Sequence, residues 1–289
     1  MKLSNGHLFI YFTITFLFFP LKPGLYAQAK IKGNKEVKTE QTPVEPFHTI
    51  SIGNELEVLF IKSTAPSVTI EADSNLHPII NFQVKDSVLN FQINKIVRRS
   101  KQFKAIVRYT NNLEHIILNG SVDVEAENSI ELKTLDLTLH DDSKIDAKIV
   151  SDNFRLENNN ETSIKLTTNC ILNLECKIAH LELKNNSNNI IEINAEELEV
   201  NTYDKAELDI EGFSYKLNVD STNSSEINGE NLLTNISNIK LSKKADAIIQ
   251  ATDTITVDAS GNTKLELYGQ PKILVKNLSG TSSIIKKEH

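Results

Sequence analysis

From about Leu113 onward one short pattern recurs, and it limits what this chain can fold into more than any other feature. A small or polar residue is followed by apolar residues at +2 and +4: Gly120 by Val122 and Val124, Ser143 by Ile145 and Ala147, Ala206 by Leu208 and Ile210, Thr263 by Leu265 and Leu267. Thr162, Asn189, Ser225 and Ala245 head related units, and a second apolar pair such as Leu198/Val200 or Leu217/Val219 precedes each anchor after the first. The intervals between anchors cluster near one value and are longest between Thr162 and Asn189. A unit of that length holds two or three short strands and cannot bury its apolar face alone, whereas a stack of such units can. The pattern predicts an all-β fold: a β-solenoid, right-handed β-helix-like, with rungs of about 19 residues. Asn, Asp and Ser are expected at the corners, where turns tolerate left-handed geometry. A long antiparallel sandwich would need Asn-Gly hairpin signals between most strand pairs, and only Asn119-Gly120 and Asn228-Gly229 qualify.

Before the repeat, residues 46–112 read as an N-terminal group of short strands. Leu56–Phe60, Val68–Ala72, Val88–Ile93 and Ala105–Tyr109 are rich in Val, Ile and Thr and bounded by Asn, Asp, Gly or Pro. Pro78 ends any helix begun at Ser74 or Asn75. Residues 28–45 are polar and aperiodic and read as a flexible leader. The segment ahead of them reads as a secretory signal: Lys2, an uncharged apolar run from Leu8 to Phe19, then Pro20, Pro23 and an exit at Ala27. That run falls short of the roughly 20 residues a spanning helix needs. The expected layout is thus signal peptide 1–27, leader 28–45, strand region 46–112 and repeat region 113–289, in an exported protein placed in the periplasm, at the outer-membrane surface or outside the cell.

The stretch from Phe47 to Ser121 carries a resemblance. Phe47-x-x-Ile50-x-Ile52, Leu56-x-Val58 and Val68-x-Ile70-x-Ala72-Asp73-x-Asn75-Leu76 are followed by Val84-x-Asp86-x-x-Leu89, Val107-x-Tyr109-x-x-x-Leu113 and Ile116-Ile117-Leu118-Asn119-Gly120-Ser121. These pieces resemble the N-terminal half of the family described as "putative auto-transporter adhesin, head GIN domain", secreted proteins frequent in Bacteroidetes-type bacteria. Many members have Ser where this chain has Asn119. The rungs after Gly120 are similar to the family's second half, so the resemblance covers nearly the whole chain after Ala27. It implies a β-helix-like protein at or outside the inner membrane and brings no catalytic residues with it.

The residues themselves point away from most chemistry. The net charge of −7 argues against a sequence-independent nucleic-acid binder, which needs clustered cations. None of the seven histidines has a partner at metal-ligand spacing. His140-Asp141-Asp142 is the densest such cluster and falls where a corner is expected. Glycine-rich phosphate loops and nucleophile elbows are absent. A polysaccharide-active β-helix, lyase or hydrolase, is the enzymatic alternative, needing paired carboxylates or a cation-assisted base. The repeat region has one arginine, Arg155, and the chain lacks Trp, so platforms for sugar rings come down to Tyr203, Tyr215 and Tyr268. Glu207, Asp209 and Glu211 alternate along one strand as an outward acidic row. Cys170 and Cys176 are either two buried thiols or a bridge across a small excursion, since six extended residues span about 20 Å. Ser87, Ser221 and Thr254 sit in a loose Asp-Ser/Thr-apolar pattern associated with O-glycosylation in Bacteroidetes-type envelopes. No catalytic, cofactor or metal site and no cofactor is expected. The reading is a non-enzymatic binding or structural protein, adhesin-like, with an envelope glycan or surface protein as partner and not an integral membrane protein after cleavage.

Overall fold

The computed structural model describes residues 29–159 and 169–288, with the side chains of residues 169–173 left aside. The expected signal peptide and the Thr162 anchor lie outside the described residues. The N-terminal part contains β1 (Lys30–Lys32), β2 (Val37–Pro43), β3 (Thr49–Gly53), β4 (Leu56–Lys62), β5 (Ser67–Asp73), β6 (Ile80–Lys85), β7 (Val88–Ile93), β8 (Ile96–Arg98) and β9 (Phe103–Tyr109). The stack continues through β10 (His115–Asn119), β11 (Val122–Ala126), β12 (Ile130–Glu131) and β13 (Thr134–His140). Long strands follow: β14 (Lys144–Asn159), β15 (Asn169–Lys184), β16 (Asn188–Thr202), β17 (Glu207–Ser221), β18 (Glu226–Lys243) and β19 (Asp246–Gly261). The last rung is β20 (Lys264–Tyr268), β21 (Lys272–Gly280) and β22 (Ser283–Lys286).

The fold is a β-solenoid, as the repeat predicts. Successive rungs pair in parallel, and the register steps Asn169↔Asn188, Asn188↔Glu207 and Glu207↔Glu226 are equal in length and match the predicted rung. The next step, Glu226↔Asp246, is one position longer, and Asp246↔Lys264 is one shorter. Near the middle of the long strands the ladder skips one residue, at Asp152, Lys177, Glu196 and Tyr215, and the burial alternation changes phase, so a rung divides into two sides. Side one holds β4, β11, the first halves of β14 to β19, β20 and β22. Side two holds β3, β10, β13, the second halves of β14 to β19, and β21.

Period-two alternation sends every second residue inward. On side two the in-register column Leu89, Ile50, Ile116, Leu137, Leu156, Leu181, Val200, Val219, Ile239 and Val257 is buried throughout. Burying each such side chain contributes about 1.5–3 kcal/mol before the entropy of ordering is counted. The column emerges at Val275, which is 51% exposed on the final rung. The opposite end is closed. β7 lies parallel on β3 and β9 parallel on β4, while β2, β5 and β6 pair antiparallel with their neighbours. Tyr109 of this cap packs edge-on against Phe60 of the first rung, with ring centroids 6.0 Å apart.

Three features differ from the sequence reading. The stack does not begin at Leu113: β3 and β4 form a rung that β10 and β11 continue in register, His115 opposite Thr49 and Val122 opposite Leu56. The intervening residues fold back over the top as the cap. Secondly, the polar stretch 28–45 is not a free leader, because β1 pairs with β8 and β2 with β5. Every residue of β2 is exposed, so backbone hydrogen bonding holds it and no apolar alternation marks it. Thirdly, Ala206 aligns with Ser187 rather than Asn189, as the pairing Asn188↔Glu207 requires. Asn189 points inward beside Leu208, fully buried in an otherwise apolar column. Its Oδ1 accepts from Asn158 Nδ2 at 2.6 Å and its Nδ2 donates to the Glu207 carbonyl at 3.0 Å, which satisfies the buried amide.

Among the described residues one corner repeats from rung to rung. Asn54, Gly120, Asp141, Asn185, Asp204, Asn223, Lys243, Gly261 and Gly280 occupy equivalent positions and all have positive φ. Asn, Asp and Gly adopt this geometry at least cost. Side chains tie successive corners together: Asn223 Nδ2 donates to Asp204 Oδ1 at 2.8 Å and Lys243 Nζ to Asn223 Oδ1 at 2.8 Å.

Candidate functional site

The alternation that buries one set of side chains lines the outside of side two with another. Two outward columns run the length of the stack. The first is Thr49, His115, Asp136, Arg155, His180, Glu199, Asn218, Asn238 and Thr256. The second is Ser51, Ile117, Thr138, Glu157, Glu182, Asn201, Asp220, Lys240 and Asp258. Neighbouring members are separated by the interstrand spacing, about 4.8 Å.

The columns are knitted by contacts between rungs. His115 Nδ1 lies 3.2 Å from Asp136 Oδ2, and His180 Nδ1 lies 2.9 Å from Glu199 Oε2. Arg155 Nη2 donates to Glu182 Oε2 at 3.3 Å, and Lys184 Nζ reaches Glu182 at 2.7 Å and Glu157 at 3.5 Å. Farther along, Asn238 Nδ2 donates to Asn218 Oδ1 at 2.9 Å and Lys240 Nζ to Asp220 Oδ2 at 2.7 Å. Hydrogen bonds to Glu182 and Asp220 respectively hold the Lys184 and Lys240 ammonium groups above the ordinary lysine range. These exposed pairs add little to stability. Their effect is to fix a ladder of amides, hydroxyls and paired charges at a constant spacing.

Two hollows lie on these same columns. One, of about 290 Å³, is lined by Glu199, Asn201, Asn218, Asp220, Asn238, Lys240, Thr256, Asp258 and Lys276. The other, of about 300 Å³, is lined by Thr49, His115, Ile117, Asp136, Thr138, Arg155 and Glu157. A wider recess of about 630 Å³ sits between the loops at residues 62–66 and 110–112, off the ladder. The ladder can offer donors and acceptors to a long hydroxyl-rich ligand at several rungs together.

The residues singled out by sequence are scattered. His140, Asp141 and Asp142 form a corner in which Ser143 Oγ donates to the His140 carbonyl at 2.8 Å. Among the described residues, no group of three or more His, Cys, Asp or Glu side chains is arranged to hold a metal ion. Glu207, Asp209 and Glu211 are exposed on side one, away from the hollows. Tyr203 lies at a corner beyond β16, Tyr215 is 52% exposed midway along β17, and Tyr268 belongs to side one, so the three do not converge. Cys170 and Cys176 lie on one strand paired in register from Asn169 to Cys176, so the intervening segment does not fold back. The Cys176 thiol is free, and burial pushes its pKa up to about 11. Ser87 sits exposed in the β6–β7 turn and Thr254 is half-buried, whereas Ser221 is buried with its hydroxyl bonded to Thr202 and Ser225 at 2.7 and 2.8 Å. In the sequence the side-two ladder is marked only by complementary residues at rung spacing, such as Asp220 and Lys240.

The family described as "Putative auto-transporter adhesin, head GIN domain" matches residues 46–179 and 168–271. The chain belongs to this family. Among curated proteins none matches. Solved structures share this fold. A protein described as a "putative adhesin" from Parabacteroides merdae is 16% identical, with 90% of this chain and 99% of that one covered at a TM-score of 0.61. One from Parabacteroides distasonis with the same description is 15% identical, with 89% and 100% covered at 0.62. Another from that organism, described as a "putative lipid binding protein", is 15% identical, with 89% and 99% covered at 0.60. At these identities the likeness concerns the fold alone. Among the described residues no helix is long and apolar enough to cross a membrane.

Proposed function

We propose that this head GIN protein is an exported, non-enzymatic surface protein that binds an envelope glycan along side two of its solenoid. The observation that carries the reading is that two hollows of similar size fall on the same pair of in-register polar columns. A linear glycan lying along the solenoid axis would meet an amide, hydroxyl or carboxylate at most rungs, and the His115 imidazole at the rung of His115 and Ile117. The family's adhesin description and the sequence signals for export agree with a surface role. A polysaccharide-cleaving enzyme would set two carboxylates across a cleft at a fixed separation. On this face Glu157, Glu182, Glu199 and Asp220 are instead engaged by neighbouring cations or imidazoles. The test is a glycan array run beside an assay for reducing ends released from the retained polymer. Retention without release supports the reading, and release of reducing ends would overturn it. Retention should fall at least tenfold in an Asn238→Ala, Lys240→Ala double variant.

A further inference from the structure

The cap carries a charge pattern opposite to that of the molecule. β1 and β8 form a two-stranded parallel ribbon in which Lys30 pairs with Ile96, Ile31 with Val97 and Lys32 with Arg98. Ile31 and Val97 pack on the core, so Lys30, Lys32 and Arg98 share the outer face, and all three are exposed. Just beyond the ribbon ends lie exposed Lys35, Arg99 and Lys101. Among the described residues none of these six cations is in an ion pair. The carboxylates at the margins are Glu36, beside Asn34, and Glu55, which shares a groove with Lys95 and Ile96.

The cluster is built, not incidental to one loop. Its two segments are far apart in sequence, with β2 to β7 between them, and one buried carboxylate joins them. Asp73 Oδ2 accepts the backbone N–H of Lys35 at 2.8 Å, and Asp73 Oδ1 accepts those of Lys101 and Gln102 at 3.2 and 3.1 Å. Because that carboxylate accepts from backbone groups and takes charge support from Lys101 alone among the six, the heads of Lys30, Lys32, Lys35, Arg98 and Arg99 are not engaged by it. Side one shows the reverse: Glu207, Glu226 and Asp246 stack in register along an acidic outer column. A planar anionic surface would therefore attract the cap and repel the rungs.

We infer that the β1–β8 ribbon docks the protein end-on to phosphate-bearing lipid headgroups at a membrane surface, leaving the solenoid to project away. Lipid headgroups and free phosphate share the relevant chemistry. A bilayer differs in offering many phosphates at once, which suits six cations on one end of a molecule.

The test is vesicle co-sedimentation of the full chain on phosphatidylcholine with and without phosphatidylglycerol. The apolar segment Leu8–Phe19 is common to every sample and does not select for lipid charge. The increment in binding that the anionic lipid adds should resist competition by inorganic phosphate at vesicle-equivalent concentration and disappear in about 1 M salt, where the screening length falls to about 3 Å. A Lys30→Ala, Lys32→Ala, Arg98→Ala variant should bind on the order of 100-fold more weakly. Removing three exposed cations elsewhere, by Lys205→Ala, Lys244→Ala and Lys272→Ala, should leave binding within about twofold of the parent. Circular dichroism confirms that both variants are folded, and a Lys30→Arg, Lys32→Arg variant should keep full binding. Equal losses in the two triple variants, indifference to lipid charge, or capture by a sulfated polysaccharide without retention on anionic vesicles would each overturn the inference.

Discussion

Lys243 and Gly261 occupy the same left-handed corner in adjacent rungs, with φ of 62° and 96°. A Cβ added to Gly261 would stand 2.6 Å from the Lys243 carbonyl oxygen. The corners are therefore packed backbone on backbone, and glycine at 261 answers both a dihedral and a steric demand. Gly261→Ala should lower stability by more than about 1 kcal/mol. Lys243→Asn, which suits the geometry better, should raise it by about 0.5 kcal/mol. Denaturant unfolding of the two variants checks both signs.

Leu208 and Asp209 test the alternation. Leu208 is 2% exposed between Asn189 and Ile227 in the neighbouring rungs, and Asp209 faces solvent. Leu208→Ala should cost about 2–5 kcal/mol through lost burial and a residual cavity. Asp209→Ala should change stability by no more than about 0.5 kcal/mol. For topology, paired cysteines at 208 and 227 should crosslink in a Cys170→Ala, Cys176→Ala background, and a pair at 208 and 217 should not.

The repeat made the solenoid legible because each inward position must match the residue above and below it. Its phase was legible only where the columns are uniformly apolar. Asn189 broke that rule: its amide is satisfied by Asn158 and by the Glu207 backbone, and a polar residue at an inward position reads as an anchor. The first rung was hidden for a different reason. β3 and β4 are separated from β10 and β11 by the whole cap, so no fixed period connects them. β1 offers a single inward residue, Ile31, and β2 no buried residue at all, too little for an apolar pattern to mark either strand. The ladder on side two has complementary residues one rung apart, and such pairs become visible only once the register is known.

Asp73 ties the cap together and makes it acid-sensitive. Burial alone would raise its pKa, but the backbone N–H groups of Lys35, Lys101 and Gln102, with the Lys101 charge, outweigh that and hold it below the usual aspartate value. A lowered folded-state pKa contributes stability above the unfolded-state pKa and loses it as pH falls through the folded value. The cap should thus loosen at acid pH, below the ordinary aspartate range. Asp73→Asn should cost roughly 1–3 kcal/mol near neutral pH, since an amide cannot satisfy all three donors. It should also flatten the acid limb of a stability-against-pH curve measured by thermal melting.

Cys176 should be slow chemistry in the folded state. Its pKa, pushed up to about 11 by burial, leaves little thiolate at neutral pH. In a Cys170→Ala background, a disulfide reagent should label Cys176 at least tenfold more slowly in native protein than in denatured protein at pH 8. Equal rates would mean that the half-buried thiol is not shielded by its surroundings.

The binding face on side two is the centre of the account, and ligand length probes it most directly. From the Asp136 rung to the Asn218 rung there are four steps, or about 19 Å at the interstrand spacing. Titration calorimetry with oligosaccharides of increasing length, cut from a glycan retained on the array, measures whether that distance is used. Affinity should climb with each added unit until the ligand spans both hollows, and Asn238→Ala, Lys240→Ala should flatten the climb. Affinity that is already maximal for a mono- or disaccharide, or that is untouched by the double variant, would contradict an extended site on this face.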